Sequence, residues 1–104
     1  MSKATQQEIV LQDLRAIAQS DYYFAWIDSP DAHGTIFECG FAEALGVPTF
    51  LAFSNEMEQQ DIDDMWFIRT AANQSIHSDT PQSAWDIFEY WARDWEFNRH
   101  RTTP

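Results

Sequence analysis

Acidic side chains gather in one short stretch of this 104-residue sequence, where Asp28, Asp31 and Glu38 surround His33, Gly34 and Thr35. Such groups give and take protons, and a carboxylate can also attack an electrophilic carbon. The stretch follows an apolar run, Tyr22-Tyr23-Phe24-Ala25-Trp26-Ile27, of the kind that forms a strand buried on both faces of a sheet. In an open parallel sheet ligands bind beyond the carboxyl ends of the strands, which puts Asp28, Asp31, His33 and Glu38 at the functional edge. Glu38 then falls in the first turn of the following helix, from which its carboxylate can point back over the strand ends. The segment Thr35-Ile36-Phe37-Glu38 equally fits a capping box, in which the glutamate bonds a free backbone N–H and complements the helix dipole.

The elements that would position these residues follow from periodicity. Ile9, Val10, Leu14, Ile17 and Ala18 form one stripe of a helix predicted over residues 5–19. Residues 22–27 form the first strand, and Asp28-Ser29-Pro30-Asp31-Ala32-His33-Gly34 a turn. Thr35 is expected to cap a second helix, which Gly46 and Val47-Pro48 stop. Thr49-Phe50-Leu51-Ala52-Phe53 reads as the second buried strand. Ser54 or Asn55 is expected to cap a third helix running through Met65, Trp66 and Ala72, and Ser75-Ile76-His77 to form a short third strand. Thr80-Pro81 opens the last helix, striped by Ala84, Ile87, Phe88, Trp91 and Trp95, with Arg99, His100 and Arg101 at the negative end of its dipole and Thr102-Thr103-Pro104 as a frayed tail. Helices alternating with short apolar strands imply parallel pairing through crossovers. The expected fold is α/β, a three-layer Rossmann-like (flavodoxin-like) sheet reduced to two or three strands with about four helices.

Composition narrows the function. A chain of this length makes one domain, and its 44% hydrophobic content exceeds what a disordered chain carries. Five Trp and eight Phe are many for so small an interior, so some are expected against another subunit. Seventeen acidic against six basic residues give a net charge of −11, which disfavours nucleic acid polymers and anionic membranes as partners. The amino terminus carries no secretion-type segment and no apolar run reaches bilayer length, so the expected location is cytoplasmic. Cys39 has no partner cysteine for a disulfide, and Cys39, His33, His77 and His100 lack zinc spacing. No metal or organic cofactor is expected.

An ordered set of residues resembles the nucleoside 2-deoxyribosyltransferases and their N-glycosidase relatives. It comprises Asp13 to Asp21 before the strand, then Asp31, then Gly34-Thr35-Ile36-Phe37-Glu38-Cys39-Gly40-Phe41-Ala42, then Ala44-Leu45-Gly46-Val47-Pro48. The likeness spans about residues 8–53, and the combination is more specific than any one piece. It implies that Glu38 is a nucleophile attacking the anomeric carbon of a sugar, giving a covalent glycosyl-enzyme resolved by a second base or water. It further implies that Asp13 exchanges a proton with the nucleobase and that Asp31 orients the sugar and nucleophile. Asp13 lies between Ile9 and Ile17, beside the apolar stripe, where partial desolvation would suit that task. A solvated charge on a helix face and a turn residue bonding its own backbone are the plainer readings of Asp13 and Asp31. Asp28, His33, Gly34 and Thr35 complete the candidate substrate-binding set, and Cys39 reads as a packing residue.

Two departures from the family pattern bear on this. Ala32 and His33 both stand between Asp31 and Gly34, where the family has one residue, and His33 has no orienting partner in view. The family also opens with a strand and a Gly- or Tyr-bearing loop that wall the sugar pocket, and nothing before residue 5 matches them. A second chain, or a natural start upstream of Met1, would have to supply that wall. Without it the strand at residues 22–27 has an open edge, which favours a homodimer or larger symmetric oligomer through that edge and the aromatic helix faces. The expected ligand is a nucleoside or nucleotide. The competing expectation is a non-catalytic binding or assembly module that keeps the fold.

Overall fold

A computed structural model describes residues 1–101, with side chains through Arg99. The side chains of His100 and Arg101, and the tail Thr102-Thr103-Pro104, lie outside the described residues. The chain runs α1 (Lys3–Ala18), β1 (Tyr23–Ile27), α2 (His33–Ala44), β2 (Thr49–Ser54), α3 (Gln59–Asp64), α4 (Trp66–Ala71), β3 (Gln74–Ser78) and α5 (Pro81–Arg101). The strands form one parallel sheet in the order β1-β2-β3. Tyr23 pairs with Thr49 and Ile27 with Phe53, while Phe50 pairs with Gln74 and Ser54 with Ser78. This is the reduced Rossmann-like architecture that the apolar runs imply. Among the described residues β1 pairs with β2 alone, so its other edge is open.

The central strand explains the three layers. Every residue of β2 is buried, and its side chains alternate between two cores as a period of two requires. Leu51 and Phe53 join Ala25, Ile27, Cys39, Met65 and Ile68 under α2 and α4. Phe50 and Ala52 join Ala84 and Phe88 under α5, with Tyr22, Phe24, Trp26 and Trp91 packed around them. A third, smaller cluster of Ile17, Ala42 and Val47, with Leu14, Phe41 and Tyr23, fastens α1 onto α2.

Element boundaries differ from the sequence reading in three instructive places. α1 starts at Lys3 because Ser2 caps it, its hydroxyl accepting from the Thr5 N–H at 3.1 Å. The expected single helix after β2 is two, so the described residues form five helices where about four were expected. Ser54 ends β2 instead of capping a helix, and Glu58 is the N-cap of α3. Ile62, Met65 and Ile68 are all buried, and three residues of α-helix fall about 60° short of a full turn. The break at Met65, with ψ of 21°, re-aims the chain there, and Met65 and Ile68 pack into the core beside the sheet. Lastly, the apolar stripe of α1 is buried only toward its carboxyl end, at Ile17, while Ile9 and Val10 remain exposed.

α2 ends as its sequence requires. The Val47 N–H reaches the Ala42 carbonyl and the Gly46 N–H the Glu43 carbonyl, the paired bonds of a Schellman closure. Gly46 adopts φ of 77° there, and a Cβ at that position would meet no neighbour. Gly46→Ala therefore costs backbone strain alone, about 1–2 kcal/mol, read as a lower urea midpoint with an unchanged slope. No helix among the described residues is long and apolar enough to cross a membrane.

Candidate active site

α2 leaves the carboxyl end of β1 and runs back beside α1. Between the two helices lies a cleft of about 320 Å³ lined by Val10, Asp13, Leu14, Gly34, Phe37 and Glu38. That volume is at the lower end of small-ligand sites, and it accommodates a pentose. Two carboxylates thus face one apolar hollow, from neighbouring helices. Gly34 leaves its part of the wall open, since a Cβ there would meet nothing within 4 Å, and Phe37, 64% exposed, offers an aromatic face at the rim.

Glu38 is half-buried and does not serve as a helix cap. α2 begins at His33 with Ala32 as its N-cap, and no side chain caps it. Thr35 is therefore inside the first turn, three residues too late to be the expected cap, and the capping-box geometry does not form. The Glu38 carboxylate instead accepts a hydrogen bond from the Tyr23 hydroxyl at 3.2 Å, and the same hydroxyl lies 3.2 Å from the Thr35 carbonyl oxygen. Burial, and then the negative charge of Glu38, push the Tyr23 phenol well above its ordinary range, so it keeps its proton.

The other acidic candidates are less close. Asp13 lines the cleft but is exposed, so the partial desolvation expected beside the apolar stripe is absent. Asp31 is exposed and outside the cleft lining. Its N–H bonds the Ser29 hydroxyl at 3.2 Å and its carbonyl accepts from the His33 N–H at 2.8 Å, the local bonding of a turn. Asp28 and His33 are likewise exposed and do not line the cleft. Of the seven candidates, Asp13, Gly34 and Glu38 meet in one hollow, Thr35 joins them through its carbonyl contact with Tyr23, and Asp28, Asp31 and His33 stand apart.

Cys39, next to Glu38, points into the core and is 1% exposed. Burial, reinforced by the nearby charge of Glu43, raises its thiol to about 11, so at neutral pH it is a protonated packing residue. Among the described residues no three His, Cys, Asp or Glu side chains are grouped to hold a metal ion.

Tyr23, which touches Glu38, and Phe37, which lines the cleft, were not among the candidates the sequence offered. A period-two count along β1 would have found the first, because it places Tyr23 with Ala25 and Ile27 on the face that α2 covers. Phe37 carried no such signal, since an aromatic beside a helix stripe reads as core.

The sequence model described as nucleoside 2-deoxyribosyltransferase matches residues 1–84. The matched range contains every residue of the cleft. No curated protein and no solved structure matches the chain.

Proposed function

Because the chain belongs to the nucleoside 2-deoxyribosyltransferase family, we propose that it cleaves or transfers the N-glycosidic bond of a nucleoside or nucleotide, with Glu38 as the nucleophile. The observation that carries this reading is the meeting of Glu38 and Asp13 in a single cleft. In the first step a Glu38 oxygen bonds to the anomeric carbon while the carbon–nitrogen bond breaks, its electron pair leaving with the base. The departing nitrogen takes the proton of the Asp13 carboxyl, which is left as a carboxylate. In the second step an acceptor base or water bonds to the same carbon and gives its proton to the Asp13 carboxylate, while the bond from the carbon to Glu38 breaks and its electrons return to the Glu38 carboxylate. Phe37 offers a stacking surface for the base, and the gap at Gly34 leaves room for the sugar. Asp31, outside the cleft, orients neither group directly in this arrangement.

The test is chromatography of deoxynucleosides and nucleotides incubated with wild-type protein and with Glu38→Ala. Base release by the wild type and none by the variant supports the proposal. Equal and negligible release from both favours the second reading, a non-catalytic binding or assembly module, which the distance of Asp31 from the cleft also favours.

Self-association completes the proposal. Among the described residues the outer edge of β1 has no strand partner, and Trp66 and Phe67, adjacent on α4 with rings 5.6 Å apart, are 61% and 72% exposed, an apolar pair of the kind that association covers. Light scattering at micromolar concentration is expected to give at least twice the mass of the chain, and a monomer mass would contradict this. A buried free cysteine suits the reducing cytoplasm, where we place the protein.

A further inference from the structure

Tyr23 stands at the start of β1, at the opposite end of the strand from the turn that carries Asp28 and Asp31. Its ring packs against both the core beneath α2 and the cluster that joins α1 to α2. Its hydroxyl thereby emerges beneath the cleft, within 3.2 Å of both the Glu38 carboxylate and the Thr35 carbonyl. Glu38 and the Thr35 carbonyl are both acceptors in one turn of α2, and the single phenol proton lies between them.

From this arrangement we infer that Tyr23 is a positioning residue for Glu38. The inference rests on the reading of Glu38 as nucleophile. A glutamate side chain has three rotatable bonds, and a carboxylate that must meet the anomeric carbon in line loses rate whenever it turns away. The Tyr23 bond engages Oε1 and leaves Oε2 as the oxygen for attack. When the ester later breaks, the electron pair returns to the carboxylate, and a donor already in place stabilises the charge that reappears there. The ring holding this donor is itself fixed by packing on two sides.

Replacement of Tyr23 by phenylalanine keeps the ring and deletes the donor. Base release by Tyr23→Phe is expected to fall in kcat on the order of 10- to 100-fold, with KM and the thermal midpoint near those of the wild type. A merely structural tyrosine would move the thermal midpoint and leave kcat per folded molecule alone. Incorporation of a ring-fluorinated tyrosine at position 23, which retains the O–H, is expected to restore turnover. A Tyr23→Phe protein that folds and turns over like the wild type would overturn the positioning role while leaving the nucleophile assignment standing. A wild type that releases no base would remove the glycosyl-transfer reading, and this role with it.

Discussion

Glu38→Gln is expected to reduce base release by roughly 10⁴-fold or more, the scale seen when a covalent nucleophile is removed from an enzyme that depends on it. The substitution is chosen for what it preserves. Glutamine has the size of glutamate and keeps an oxygen that can accept from the Tyr23 hydroxyl, so the 320 Å³ cleft and the packing of α2 survive. What is lost is the negative charge that attacks carbon. Initial rates of base release, measured with protein at high concentration and long incubation, give the ratio. A loss below tenfold would mean that Glu38 only shapes the cleft and that water attacks the sugar directly.

Phe50→Ala is expected to be the most damaging single change to the fold, lowering stability by about 3–5 kcal/mol. Phe50 is fully buried on the central strand. It stacks on Phe24 at 5.8 Å between ring centroids and meets Phe88 and Trp91 at 5.4 Å each. Its ring is the large fully buried side chain in the core between the sheet and α5, where Ala52 and Ala84 beside it are small, and Phe24 and Tyr22 add further ring contacts to Phe88. A domain of this size is stable by roughly 5–15 kcal/mol in total, so the loss is a large fraction. Urea unfolding followed by tryptophan fluorescence reads it directly, Trp91 being one of the rings that surround Phe50. A change below 1 kcal/mol would contradict the packing described.

How far the sequence disclosed this structure depends on the kind of signal each residue carries. The parallel α/β layout was legible because Tyr23–Ile27 and Thr49–Ser54 are short apolar runs separated by helical periodicity and a Gly46-Val47-Pro48 stop, and these local patterns have few other outcomes. Glu38 and Asp13 were legible because both stand in an ordered motif. Their meeting was not, since the cleft depends on how α1 lies across α2, which the cluster of Ile17, Ala42 and Val47 decides. The start of α2 was misplaced for a related reason. Thr35 has the chemistry of a cap, but the turn at Ser29, Asp31 and His33 bonds itself and hands the chain to the helix three residues earlier. Asp31 was drawn toward the site by the same motif, and that self-bonded turn holds it away. Tyr23 was hidden in an apolar run, where its ring announced a strand and its hydroxyl, the part that touches Glu38, announced nothing.

The most direct measurement is mass spectrometry of protein quenched during turnover of a 2-deoxynucleoside, followed by peptide mapping. One added deoxyribosyl group is expected, carried by the peptide containing Glu38 and missing from Glu38→Gln. Base release with no adduct, or with the sugar attached to a different side chain, would contradict it.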